Sequence, residues 1–212
     1  MSKTGILVVV SGFSGAGKGT LMKALLSQYS QQYALSISAT TRKPRQGEVH
    51  GQDYFFKEMA EFEKMIAEKQ LIEYAKYVEN YYGTPRAYVD EQLSQGKDVI
   101  LEIEIQGALD IKAQHPEALL IFVTTPNAQE LKRRLVSRGT ESMAVIESRM
   151  NRAADEALEM DSYDYLVIND DLQSCVEGLH RIIQGEHARS FRNKELIKEI
   201  QQELRDCLKG EA

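Results

Sequence analysis

Residues 12 to 20 read Gly-Phe-Ser-Gly-Ala-Gly-Lys-Gly-Thr, and Gly12, Gly17 and Lys18 fit the spacing G-x-x-x-x-G-K. In that pattern the glycines let backbone N–H groups close around phosphate oxygens while the lysine ammonium reaches the outer phosphates. The apolar run Ile6 to Val10 precedes the turn as a strand, and Leu21, Ala24 and Leu25, with Met22 and Leu26 beside them, follow it at helical spacing. A glycine turn between a buried strand and a helix is the setting a phosphate cradle needs, because the helix N-terminus adds unpaired N–H donors. Ser14, Gly15, Ala16, Gly17, Lys18, Gly19 and Thr20 are therefore the candidate phosphate-binding residues. The Ser or Thr expected directly after the lysine, whose hydroxyl would ligate magnesium, is replaced by Gly19, and Thr20 takes the next place.

The elements that must position this loop follow a strand–helix alternation. Strand-like runs at 6–11, 35–39, 98–104, 119–124 and 164–168, separated by helical patterns, predict an α/β fold with a mainly parallel, doubly wound sheet flanked by helices. Ligands in such sheets bind outside the carboxyl ends of the strands, so the glycine loop should meet the acidic end of Val99-Ile100-Leu101-Glu102-Ile103-Glu104. Strand period two puts Glu102 and Glu104 on one side, opposite Leu101 and Ile103. Residues 35–95, dense in Tyr, Arg, Glu and turn residues, read as an inserted lobe, with the core formed by 1–34, 96–125 and 159–212. Thr125-Pro126 predicts a helix N-cap and first-turn proline, Gly139 a helix end, and 126–158 a helical lid segment. The series Val176, Leu179, Ile182, Ile183 and Leu196, Ile197, Ile200, Leu204 predicts two closing helices packed on the sheet.

Composition narrows the function. The 212 residues carry a net charge of −6 with a pI near 5.4, which argues against a general nucleic-acid binder, since duplex affinity rests on Lys and Arg neutralising phosphates. Basic residues are local, at Arg42-Lys-Pro-Arg45 and at Lys132-Arg-Arg134 with Arg138, as suits one small polyanion. Cys175 and Cys207 lack C-x-x-C spacing, and the histidines at 50, 115, 180 and 187 show no ligand-like pairing and are expected on the surface. No metal-binding cluster emerges. The apolar start is too short to span a bilayer and lacks signal-peptide order, so no membrane association and a reducing, cytoplasmic location are expected. The acidic, Gln-rich C-terminal segment offers a surface for a homo-oligomer, although such a helix more often packs on its own domain.

Seven motifs then agree: the glycine loop, Ser38-Ala-Thr-Thr-Arg42-Lys-Pro-Arg45, Gly51-Gln-Asp-Tyr54-Phe-Phe, Ile72-Glu73-Tyr74, Asn80-Tyr-Tyr82-Gly-Thr84, Glu102-Ile-Glu104-Ile-Gln-Gly107 and Arg138-Gly-Thr-Glu141. Together, in this order and over nearly the whole chain, they resemble the guanylate kinase family. The resemblance implies a P-loop NTPase fold and transfer of the γ-phosphoryl group of ATP to GMP with Mg2+. It implies that the metal is held by phosphates and water, with Glu102 or Glu104 close by rather than as a direct ligand, which suits a cation that dehydrates reluctantly. It places Asn169 and Asp170 at the adenine, and Arg134, Arg138 and Arg149 on a mobile lid that closes over the phosphates. Arg152 is a weaker member, and Arg133 is a surface charge. Phe13, where proline is usual, and Ile105, where bacterial members often have tryptophan, depart from the family pattern without removing a chemical group.

Each of these residues has a chemical reason for its place. Guanine presents N1–H and N2–H2 as adjacent donors and O6 as an acceptor, so the Glu73 carboxylate suits the donors and the Thr84 hydroxyl suits O6. Arg42 and Arg45 can fork onto the GMP phosphate, with the hydroxyls of Tyr54, Tyr82 and Ser38 completing the cage and Glu102 between the two nucleotides. The attacking phosphate oxygen is already ionised, so no general base is required, and Lys18, Arg42 and the lid arginines would act on charge. Two other readings fit parts of the pattern: a non-catalytic guanylate-kinase-like binding module, and a related P-loop kinase of ribose 1,5-bisphosphate. Retention of Lys18, the glycines and the lid arginines speaks against the first, and the guanine-facing pair Glu73 and Thr84 against the second.

Overall fold

In the computed structural model, residues 4–77, 79–137, 139 and 142–209 are described here, the side chains of 77 and 209 excepted. The run Val8-Val9-Val10 is wholly buried because its strand, β1 (Leu7–Gly12), is the middle of a five-stranded parallel sheet and meets apolar neighbours on both faces. From β1 the chain enters α1 (Lys18–Gln28), which buries Leu21, Met22 and Leu25, and then β2 (Tyr33–Leu35) at the sheet edge.

A second, four-stranded sheet follows, built from β3 (Ala39–Thr40), β4 (Phe55–Phe56), β5 (Leu71–Tyr77) and β6 (Asn80–Pro85) in the order β4-β3-β6-β5. The β3–β4 pair is parallel and the others are antiparallel. Helix α2 (Met59–Ala67), opened by a capping box between Glu58 and Glu61, lays Phe62 on this sheet in a small core with Ala39 and Leu71. Helix α3 (Arg86–Ser94) returns the chain to the main sheet, where β7 (Asp98–Glu102), α4 (Ile105–Gln114) and β8 (Leu119–Thr124) complete its centre. Helices α5 (Ala128–Ser137) and α6 (Met143–Glu156) and a 3-10 turn (Ala157–Ser162) lead to the edge strand β9 (Tyr165–Ile168), and α7 (Leu172–Glu186) covers the sheet. The strand order is β2-β7-β1-β8-β9, so the expected doubly wound parallel sheet is observed.

Several expectations about detail are corrected. The run at 35–39 divides, with Tyr33–Leu35 pairing on β7 and Ala39–Thr40 joining the second sheet. Strand β7 stops at Glu102, and Glu104 is the N-cap of α4, so strand periodicity does not relate the two carboxylates. Asn127, not Thr125, caps α5: its Oδ1 accepts from the Glu130 N–H at 2.9 Å. The stripe Leu196, Ile197, Ile200 and Leu204 forms on α8 (Lys194–Lys209) but lies 37–61% exposed instead of packing on the sheet, because periodicity specifies a face and not what covers it. His187 is not a surface residue. Its ring is 10% exposed and bonds Asp98, which also accepts from the Ile6 N–H at 2.8 Å.

Candidate active site

The turn after β1 is shaped by backbone geometry first. Gly17, the N-cap of α1, has φ +93, and a Cβ there would stand 2.5 Å from Asn169 Nδ2. Only glycine accepts both the left-handed backbone and that contact. The Asn169 amide in turn donates to Ala16 O at 2.7 Å, so this buried side chain braces the loop from the end of β9. Arg134 adds a second brace, donating to Ala16 O at 3.3 Å and to Asn169 O at 2.8 Å, while Glu130 holds its Nε at 2.7 Å. The paired guanidinium groups of Arg133 and Arg134 pull the Glu130 carboxyl down to about 2. Glu130 and the bracing role of Asn169 carried no motif; the i,i+4 spacing of Glu130 and Arg134 was the one visible sign.

Lys18 opens α1, and its ammonium donates to Gly12 O at 2.6 Å and Phe13 O at 3.2 Å, which draws it back over the cradle. The Phe13 ring fills space against Phe122, edge-on at 5.0 Å, so the departure from proline is absorbed in packing. Strands β1 and β7 run side by side with Val10 opposite Glu102, which brings the loop and the acidic strand end together as expected. Burial raises Glu102 above the ordinary glutamate value of 4.5, and Lys18 opposes that rise.

A cleft of about 750 Å³ opens from Lys18 and Glu102 across to the second sheet. Its lining includes Ser38, Tyr54, Glu73, Tyr82, Glu104 and Arg152. Glu73, on β5, receives the Thr84 hydroxyl at 2.7 Å, and its other oxygen faces the first turn of α4, 3.6 Å from where a Gly107 Cβ would stand. Burial, with help from Asp110, raises its pKa, and the Thr84 hydrogen bond opposes the rise. Thr84 is fully buried behind the cleft lining, and in this structure its hydroxyl is engaged by Glu73. Arg152 reaches across from α6 to Glu104 and also binds Glu156 at 2.8 Å.

The edge of the cleft holds the basic loop. The Arg42 guanidinium lies 5.4 Å from the Tyr54 ring centre and 5.9 Å from that of Phe56, and Tyr54 meets Tyr82 edge-on at 6.2 Å. Glu48, which no motif singled out, takes Arg42 through two bonds of 3.0 and 2.8 Å. Arg45 is exposed, and its backbone N–H donates to the same carboxylate at 2.7 Å. Arg149 is half-buried on α6 and does not line the cleft. Arg138 lies outside the described residues.

The cleft thus joins the glycine loop to an aromatic and basic pocket, with the half-buried Glu73 carboxylate in its lining. Comparison with known proteins gives this arrangement a lineage. The family model described as guanylate kinase matches residues 4–186. This chain belongs to the guanylate kinase family. Guanylate kinase of Bacillus subtilis (strain 168) is 51% identical over 192 residues, covering 91% of this chain and 94% of that protein. Guanylate kinase of Bacillus anthracis is 50% identical over 203 residues, covering 96% and 99%. The crystal structure of guanylate kinase from Anaplasma phagocytophilum superposes with a TM-score of 0.71 at 27% identity, covering 93% of this chain and 95% of the other.

Proposed function

We propose that this chain transfers the γ-phosphoryl group of ATP to GMP, giving ADP and GDP, with ATP in the Gly12–Thr20 cradle and GMP in the cleft beside the second sheet. The observation that carries the reading is the half-buried Glu73 carboxylate, which lines the same cleft as Lys18: it presents acceptors where guanine has two adjacent donors and adenine has an unprotonated N1. Arg42, Arg45, Tyr54, Tyr82 and Ser38 take the GMP phosphate, and Glu102 stands between the nucleotides. Thr84 acts through Glu73 in this conformation, donating its hydroxyl so that the carboxylate is fixed in one rotamer.

Catalysis is then positioning and charge. Lys18 follows the transferred phosphoryl group, and Arg134, with Arg138 and Arg149, neutralises the charge spread over its oxygens. Asn169 supports ATP binding by holding the loop carbonyl of Ala16 away from the phosphates. The donor chemistry fits Mg2+: Glu102 offers one carboxylate in the cleft that Lys18 also lines. That is the set Mg2+ accepts when phosphates and water supply the remaining oxygens, and it would shield phosphate charge there. The core, the lobe at 35–95 and the helical lid at 126–158 form the working parts of this reading, with the lid excluding water when it closes.

A coupled ADP-release assay with ATP and Mg2+ tests it, with GMP, AMP, CMP and UMP as acceptors. Turnover with GMP alone is expected. No turnover with any acceptor alongside intact GMP binding would overturn the assignment. Among the described residues no helix is long and apolar enough to cross a membrane.

A further inference from the structure

The contact between Glu48 and Arg42 is unlike an ordinary surface ion pair. Both side chains are less than a fifth exposed, the contact is bidentate, and the same carboxylate caps the Arg45 N–H. Gly47, at φ +90, lets the chain reverse so that the Glu48 N–H returns to Arg45 O at 3.1 Å and its side chain faces Arg42. Arg42 lowers the Glu48 carboxyl below its usual range and the Arg45 N–H adds to the effect, so the carboxylate is charged wherever GMP phosphate is doubly ionised.

The stereochemistry of the fork decides what this contact does. Glu48 takes one hydrogen each of Nη1 and Nη2, and Lys43 O takes the other Nη1 hydrogen at 2.8 Å. The donors not taken by Glu48 and Lys43 are Nε–H and the second Nη2 hydrogen, the edge left for the Tyr82 hydroxyl that also bonds this side chain. In a planar guanidinium these two point along one edge, with the spacing that receives a phosphate bidentately. Tyr54, whose ring lies against the guanidinium, and Tyr82, whose hydroxyl bonds the Arg42 side chain and so adds to raising its pKa, both line the cleft.

We propose that Glu48 is a positioning residue for GMP: it grips the outer edge of the Arg42 fork and the start of the Arg45 turn, so that the inner edge of Arg42 is held ready for the acceptor phosphate. The alternative is a carboxylate that occupies the arginine and must leave before phosphate binds. The two make opposite predictions for Glu48→Gln. Removing a negative charge beside an anion site strengthens anion binding if Glu48 competes. It weakens binding if Glu48 holds the fork, because an unheld arginine loses rotamer freedom when phosphate arrives, which is worth roughly a three- to tenfold change in affinity.

The inference rests on the GMP reading above, so the experiment measures both. In steady-state assays Glu48→Gln raises KM for GMP roughly three- to tenfold. It leaves kcat and KM for ATP within about twofold, and leaves inhibition by guanosine, which has no phosphate, unchanged. In an Arg42→Lys background, where the fork is already gone, Glu48→Gln adds little, since the two side chains act as one unit. Gly47→Ala reproduces the selective rise in KM with the carboxylate chemically intact, because Ala at φ +90 displaces the turn. A Glu48→Gln protein with unchanged or lowered KM for GMP, or with equal losses for GMP and guanosine, overturns the proposal. A wild-type protein that does not phosphorylate GMP overturns the functional reading itself.

Discussion

Glu73→Gln offers the sharpest test of how guanine is read. The substitution keeps the volume and one oxygen, which can still accept the Thr84 hydroxyl at the present 2.7 Å. It replaces the second oxygen by an N–H2 that faces the donors of guanine. The loss is one charge-assisted hydrogen bond, about 1.5–3 kcal/mol, which corresponds to a fall in kcat/KM for GMP of roughly 10- to 150-fold. Coupled assays at varied GMP and fixed ATP, and the reverse, should place nearly all of it on GMP, with KM for ATP unchanged within about twofold. Stability should not suffer. Burial raises the folded pKa of Glu73 above its ordinary 4.5, so the folded state binds that proton more tightly than the unfolded chain. The associated stability is present below 4.5 and is lost as pH rises through the folded value; the neutral amide avoids this loss. The variant should therefore unfold at or above the wild-type temperature at about pH 7. Equal losses for GMP and ATP, or a lower melting temperature with unchanged kinetics, would refute the reasoning.

Other expectations follow from the same geometry. In wild type, kcat/KM for GMP should fall on acidification at a pH above the ordinary glutamate range, because the raised Glu73 carboxylate must be ionised to accept from guanine, and Glu73→Gln should flatten that limb of the pH profile. Lys18→Ala should lower kcat by roughly a hundredfold or more, with an unchanged circular dichroism spectrum, since its ammonium touches loop carbonyls and supports no core. Gly17→Ala should cost about 1–3 kcal/mol of stability and raise KM for ATP, read by thermal unfolding and by kinetics, because the new Cβ collides with Asn169 Nδ2 and frees Ala16 O from its brace. Arg42→Lys should raise KM for GMP about tenfold, since an ammonium cannot present two edges to Glu48 and phosphate together.

Much of this site was legible in one dimension because its chemistry is local. A glycine loop needs its glycines at fixed offsets, a buried parallel strand needs a run of β-branched residues, and both are written in consecutive positions: Val8-Val9-Val10 and Gly12 to Thr20 are where they were read. The tertiary structure decided which distant side chains share a hydrogen bond. Thr84 donates to Glu73, and Asn169 and Arg134 both donate to Ala16 O, from which they lie more than a hundred positions away in the chain; they meet it only when β9 pairs on β8 and α5 folds back toward the loop after β1. Glu48 escaped notice because a single glutamate in a polar loop has no periodicity; only the reversal at Gly47 shows that it faces Arg42. The stripe on α8 is the opposite case: its pattern specified the helix and its apolar face, yet that face lies exposed, since periodicity acts along one helix while burial depends on what the rest of the fold brings against it.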